Sequence, residues 1–313
     1  MLSFVEEVCV PFLRDAQNPD GGWGYQRSSL SCVEPTCWAL IALAKISKSR
    51  DLGRTIQRAA DWLCAGQLPD GSWPTHIGRG EGSWATAPAC LALHVEAGAP
   101  EAVARGTVWL CNAWPGEGGL WWRMRHWLLA RRSTVRLNPF YRGWSWTLGT
   151  SSWVEPTSYA LILLRNIPSQ AHPRRATRRR KLGEGMLYDR ICPGGGWNAG
   201  NPLIYGVPGE PQVSPTVWAL LALQDYRDRS ENRKSLDWLE LAYQQIQAPG
   251  SLSLAHICLE AYGRPTPRLE PALRRLHSRY QFLHSVLVMS WATLALSPGR
   301  DCLRCAPSST GER

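Results

Sequence analysis

The chain has 313 residues, 44% hydrophobic and 19% charged, a balance that supports a sizeable buried core and excludes a disordered or fibrous chain. It begins Met1-Leu-Ser-Phe-Val-Glu-Glu7 without the basic start and apolar run of a secretory leader, and no stretch reaches the roughly 18 apolar residues of a membrane span, so a cytoplasmic location is expected. The net charge of +10 would suit nucleic acid, but the basic residues concentrate in His172-Pro-Arg-Arg-Ala-Thr-Arg-Arg-Arg-Lys181 rather than along one interface, so no nucleic-acid partner is expected.

Taken in chain order, Met1 to Ala16 reads as an amphipathic helix and Gln17-Asn-Pro-Asp-Gly-Gly-Trp23 as a tight turn. Glu34-Pro-Thr-Cys-Trp-Ala-Leu-Ile-Ala-Leu43 follows. Pro in the first helical turn wastes no N–H, Thr can satisfy a neighbouring donor, and the Ala-Leu continuation is apolar nearly all round, as in a helix buried on every side. Leu52 to Ala65 is amphipathic, Gln67-Leu-Pro-Asp-Gly-Ser-Trp73 repeats the turn, and Ala85-Thr-Ala-Pro-Ala-Cys-Leu-Ala-Leu93 repeats the buried helix. The same alternation continues through Glu101–Cys111, Glu155-Pro-Thr-Ser-Tyr-Ala-Leu-Ile-Leu-Leu164, Arg174–Tyr188, Ser214-Pro-Thr-Val-Trp-Ala-Leu-Leu-Ala-Leu223 and Glu231–Ile246. It ends with weaker copies at Ser253–Tyr262 and Ser285–Leu296 around Pro267–Tyr280. Six inner and six outer helices are expected to close into a single all-α ring, an (α/α)6 toroid over residues 1–298, with 299–313 as a flexible tail.

Two insertions interrupt the alternation, Trp114 to Trp153 and Cys192 to Val213. The second is rich in Gly and Pro and reads as a loop, and long ordered loops are disproportionately functional. Within the first, Trp121-Trp-Arg-Met-Arg-His-Trp-Leu-Leu-Ala-Arg-Arg132 is aromatic, basic and amphipathic, so it can rest on a membrane surface or lid the ring. The run 172–181 reads as a solvated connector or as a contact for anionic lipid at the inner membrane face. Of ten Cys, most stand singly in helical patterns and read as buried free thiols, while Cys302-Leu-Arg-Cys305 lacks the second pair of a zinc site.

The spacing Gln-x-x-x-Gly-x-Trp in Gln17–Trp23 and Gln67–Trp73 resembles the QW motif of squalene-hopene and oxidosqualene cyclases, in which Gln and Trp tie outer helices together. Gly119-Leu-Trp121 and Gly195-Gly-Trp197 keep the Gly-x-Trp half. With the inner-helix phrase, the resemblance to the terpene cyclase and protein prenyltransferase β-subunit repeat superfamily covers roughly residues 1–296. It implies the toroid; function within that fold varies among cyclases, zinc-dependent prenyltransferases and non-catalytic proteins.

The class II cyclases that this chain resembles open an inner helix with Asp-x-Asp-Asp-Thr, whose middle Asp protonates an alkene or epoxide. No such phrase occurs here. Val33-Glu34-Pro-Thr36 and Val154-Glu155-Pro-Thr157 place Glu at the matching position, so Glu155 and Glu34 are the candidate acids. Glu155 is the better placed, beside Trp144, Trp146 and Trp153. The alternative is a carboxylate that merely caps a helix, where the dipole favours the ionised form. Trp38, Trp144, Trp146, Trp153, Tyr159, Trp197 and Trp218 are candidates to line an aromatic cavity for a polyprenyl or triterpenoid chain, since aromatic faces stabilise cations; packing is their other role. A prenyltransferase site needs Asp, Cys and His around zinc, and His256-Ile-Cys258 lacks the Asp-x-Cys on the preceding inner helix, so neither metal nor cofactor is expected. The resemblance implies an isoprenoid-binding protein with protonation-initiated cyclisation as its chemistry, and the alternative is a binding or scaffolding toroid without catalysis.

Overall fold

The computed structural model describes residues 3–46, 50–96, 98–117, 119, 124, 128, 137–167, 172–204, 206–297 and 303. Twelve α-helices account for almost all regular structure among them. A short π-helical stretch, Val5–Cys9, leads into α1 (Val10–Asp15). Then come α2 (Val33–Ile46), α3 (Arg50–Ala65), α4 (Thr86–Glu96), α5 (Pro100–Asn112), α6 (Val154–Asn166) and α7 (Pro173–Asp189). The chain continues through α8 (Val213–Ala222), α9 (Ser230–Tyr243), α10 (Pro249–Ala261), α11 (Leu269–Tyr280) and α12 (Val286–Leu296). The even-numbered helices form the inner ring: α2 packs on α4, α4 on α6, α6 on α8, α8 on α10, α10 on α12, and α12 back on α2. The odd-numbered helices lie outside. This is the expected toroid.

The two helix types divide as their apolar patterns dictate. In α2 every residue from Pro35 to Leu43 is buried, whereas α3 buries a stripe of Leu52, Thr55, Ile56, Ala59, Ala60 and Leu63, half-buries Trp62 and Cys64, and exposes Gly53, Arg54, Gln57, Arg58, Asp61 and Ala65. No helix among the described residues is long and apolar enough to cross a membrane. The eight described cysteines are all free thiols and seven are buried, among them Cys37, Cys90, Cys111 and Cys258 in helices; Cys64 is half-buried.

One joint recurs around the ring. The backbone N–H of Trp23, Trp73, Trp144 and Trp197 each donates to the hydroxyl of a buried threonine in the first turn of an inner helix, Thr36, Thr86, Thr157 and Thr216, at 2.8–2.9 Å. Each indole N–H donates to a carbonyl at the end of the preceding outer helix: Leu13, Leu63, Leu110 and Leu187. In the first two joints the glutamine completes the staple. Gln17 donates to Gly21 and to Thr55 of α3, and Gln67 to Gly71 and to Ala102 of α5. Gly21 has φ +101° and a Cβ there would lie 2.7 Å from the Arg58 carbonyl oxygen, so only glycine makes that turn.

The third joint uses Trp144, whereas the Gly-x-Trp reading had placed it at Gly119-Leu-Trp121. Trp121 lies outside the described residues. Gly143 is required beside Trp144 because a Cβ would come 2.0 Å from the Thr157 hydroxyl. The run 172–181 is likewise not a connector: it is the start of α7, and Arg179 points inward, fully buried. Its guanidinium lies 4.1 Å from the Trp114 ring centre and 3.9 Å from that of Trp144, and it donates to the carbonyls of Ala113, Arg142 and Gly143. Burial draws its pKa down to about 9, and the ring faces and carbonyls offset part of that cost.

The first insertion is fastened at its ends. Glu117 Oε1 accepts from Arg190 Nη2 and from the Ser152 N–H, both at 2.9 Å, a buried ion pair that ties it to the end of α7. The stretch 121–132 lies outside the described residues except for Met124 and Leu128, both exposed. The second insertion is not wholly irregular: Leu203–Ile204 (β1) and Val207–Pro208 (β2) pair antiparallel. At the other end of the ring, Leu303 is buried and its carbonyl accepts from Gln224 at 2.6 Å, so at this residue the tail returns to the toroid.

The ring closes where the N-terminal segment meets α11 and α12. Phe4 packs edge-on against His277 and Phe282, and Glu7 pairs with Arg274 at 2.9 Å. The turn between α11 and α12 is unusual. Gln281, Phe282, Leu283 and His284 have φ between +44° and +53°, four successive non-glycine residues in the left-handed region, each costing about 1–2 kcal/mol.

Candidate functional site

The inner helices start at one end of the ring, and their entry loops surround its mouth. Neighbouring loops are joined by backbone hydrogen bonds, Val33 to Thr75, Val154 to Ala199 and Val286 to Tyr25. Counting from the buried threonine of each joint puts the mouth side chains in register. Two positions before it stand Glu34, Trp84, Glu155 and Ser214. Two positions after it, one helical turn deeper on the same face, stand Trp38, Tyr159 and Trp218.

The deeper layer is closed. Trp38 and Trp218 have ring centres 5.1 Å apart, Tyr159 lies 4.8 Å from Trp218 and 6.3 Å from Trp38, and all three are at most 6% exposed. Side chains from α2, α6 and α8 thus meet across the middle of the ring. The hollow aromatic cavity expected from sequence is filled at this depth by the residues proposed to line it. The indole N–H groups of Trp38 and Trp218 are buried without an acceptor among the described residues.

The upper layer is partly accessible. Trp84 lies over Tyr159, stacked at 5.8 Å, and meets Trp146 edge-on at 4.7 Å. Beside these rings the Tyr25 hydroxyl donates to Glu34 Oε2 and the Ser214 hydroxyl to Glu155 Oε1, each at 2.6 Å. Burial pushes the Glu34 carboxyl up to about 7; the Tyr25 hydrogen bond opposes this and the Glu155 charge adds to it. Glu155 is also raised by burial, against the Ser214 hydrogen bond. A carboxylate that merely capped a helix would be held in its ionised form by the dipole, and at both sites burial acts in the opposite sense. Tyr159 is raised as well, by burial and then by the charges of Glu34 and Glu155, which sets its hydroxyl near both carboxyls. Of the two candidate acids, Glu34 is the more strongly shifted, reversing the order given by the local tryptophan count.

The remaining sequence candidates divide. Trp146 joins the mouth. Trp144 and Trp197 belong to the scaffold, with each indole N–H fixed to a backbone carbonyl, and Trp153 precedes α6, its backbone paired with that of Trp144. Sequence reasoning missed Trp84, Tyr25 and Ser214. Trp84 was within reach, because alignment on Thr86 puts it where the first and third of these repeats carry Glu34 and Glu155. His256 is buried and meets the Thr266 hydroxyl at 2.8 Å, and no group of three metal-ligating side chains occurs among the described residues.

In repeat and fold the chain fits the terpene cyclase superfamily. The model of the squalene-hopene cyclase C-terminal domain matches residues 4–127. Squalene–hopene cyclase of Bradyrhizobium diazoefficiens is 33% identical over 130 residues, which is 37% of this chain and only 19% of that protein's length. Among solved structures, the type II terpene cyclase MstE from Scytonema superposes with a TM-score of 0.55 at 14% identity, over 88% of this chain and 77% of that one. An MstE variant bound to its product merosterolic acid A gives 0.57 at 11% identity, over 94% and 95%. A protein from Actinoplanes gives 0.54 at 17% identity, over 93% and 80%. At such identities the structural matches speak to the fold.

Proposed function

We propose that this toroid binds an isoprenoid chain, polyprenyl or triterpenoid, against the aromatic mouth formed by Trp84 and Trp146 above the buried Tyr159, with Glu34 as a neutral carboxylic acid that donates to an oxygen or alkene of the guest. The observation that carries this reading is the layering: two carboxyls raised by burial stand beside accessible aromatic rings, above a closed aromatic floor. A carboxylic acid kept protonated near neutrality by an apolar site can donate where a carboxylate cannot. Ring faces at the same spot favour a developing positive charge. MstE, which shares the fold, has been solved with geranylgeranyl dihydroxybenzoate. A membrane surface is the natural source of such a guest. Exposed Leu30, Val207 and Leu283 on the mouth loops support that route, as do 121–132 by sequence; the run 172–181 contributes only its outward residues.

Acid-initiated cyclisation is the chemistry to test on this site, with Glu34 as donor and Glu155 as its neighbour. The rival is binding without turnover, favoured by the filled centre and the missing Asp-x-Asp-Asp. The deciding experiment incubates the protein with linear polyprenyl and epoxide-bearing isoprenoids and measures both tryptophan quenching and product formation. Saturable quenching supports the binding reading, and products that vanish in Glu34→Gln support cyclisation. Absence of saturable quenching across the panel overturns both.

A further inference from the structure

The first and last mouth loops are sewn together. The Val286 N–H donates to the Tyr25 carbonyl at 3.0 Å and the Arg27 N–H to that of His284 at 3.2 Å, while Gln26 and Ser285 pair as an isolated bridge. On one side of this seam lies the left-handed turn Gln281–His284, held by Phe282, which is buried 5.2 Å from His277 and 6.1 Å from Phe4. On the other side Tyr25 reaches into the mouth and donates to Glu34 at 2.6 Å. One side chain therefore joins a carboxyl of the first inner helix to the place where the ring closes.

We infer that Tyr25 is the positioning residue of Glu34, and that its hydroxyl couples the proton Glu34 carries to the closure of the seam between residues 25–27 and 284–286. The coupling follows from hydrogen-bond chemistry. A phenol donates more strongly to a carboxylate than to a neutral acid, so ionised Glu34 holds Tyr25 more tightly, and by reciprocity a closed seam favours the carboxylate. The groups facing Glu34 are Tyr25 and Cys32 from its entry loop, Cys37 on α2, and Glu155 and Tyr159 from α6, with Ser214 of α8 behind Glu155. None of these is cationic. Three charged or titratable groups belong to the seam itself, Arg27, His277 and His284, and the two histidines must be separated from Glu34 in the test. The inference stands apart from the isoprenoid reading, since its test uses no ligand.

The test is a pH titration of the full chain labelled with ¹³C at glutamate carboxyls, with amide exchange at Arg27 and Val286 corrected for intrinsic rates. Loss of the donor in Tyr25→Phe should raise the Glu34 midpoint by about one unit. In the wild type, protection of the two amides should fall as pH drops through the Glu34 midpoint, about 7, and this step should vanish in both Tyr25→Phe and Glu34→Gln. A Glu34 midpoint that Tyr25→Phe leaves in place overturns the positioning role. A protection step that survives in Glu34→Gln overturns the coupling, and its loss in His284→Asn or in His277→Asn assigns the step to that histidine. Tyr25→Phe keeps the ring, and circular dichroism of each variant establishes that it is folded.

Discussion

Two layers of the same ring, one helical turn apart, do opposite things with similar residues. Trp38, Tyr159 and Trp218 touch one another and are closed to solvent, whereas Trp84 and Trp146 sit beside two carboxyls and remain partly open. An aromatic residue on an inner helix is therefore not by itself a cavity residue. Its depth relative to the buried threonine decides whether it supports the ring or faces a guest.

The sharpest break of this contrast comes from truncating one ring in each layer. Trp218→Ala removes a fully buried side chain from the centre and should cost roughly 3–5 kcal/mol in denaturant unfolding. Trp146→Ala, at the open layer, should cost less than about 1 kcal/mol but weaken isoprenoid binding about tenfold. Equal stability losses in the two would erase the distinction between the layers.

The next effect belongs to Glu34, whose carboxyl is raised from an ordinary 4.5 to about 7. Because the folded value is the higher one, folding takes up a proton between these limits. The penalty of ionising the buried acid is absent below 4.5 and complete above 7. Stability should thus fall as pH rises through that window, by up to about 3 kcal/mol before screening at the open mouth. Glu34→Gln should be more stable than the wild type at pH about 8 and lack this slope; a wild-type profile flat from 4.5 to 7 would remove the acid from the account.

The smallest expected effect is that of Glu155→Gln, which removes a charge that raises Glu34 only as its third cause. The Glu34 midpoint should move down by less than about one unit. A rise would mean that the two carboxyls do not face each other.

The toroid was legible because four of the six inner helices open with Thr and Pro close together ahead of an apolar run, and in those four the threonine serves the same joint. Trp144 was legible too, had the spacing been counted from threonine: Trp23, Trp73 and Trp144 all stand thirteen residues before theirs. Arg179 was not. A basic run looks solvated in composition, and what buries this one member is a pair of rings brought from residues 114 and 144. Nor could sequence tell that Trp38 and Trp218 meet, because that depends on how closely helices from opposite sides of the ring approach. Glu34 and Glu155 were found through their motif position, but the hydroxyls that hold them come from a loop and from a neighbouring helix, partners that local spacing does not reveal.

The central claim is that the open aromatic and acidic layer, rather than the closed core, receives the guest. Photo-crosslinking with a diazirine-bearing polyprenyl probe, read by peptide mass spectrometry with and without excess unlabelled isoprenoid, tests it directly. Competed adducts should map to the mouth, to peptides carrying Tyr25, Trp84 or Trp146, and should fall in Trp146→Ala. Competed adducts on the outer helices with none at the mouth, or no competed adducts at all, would contradict it.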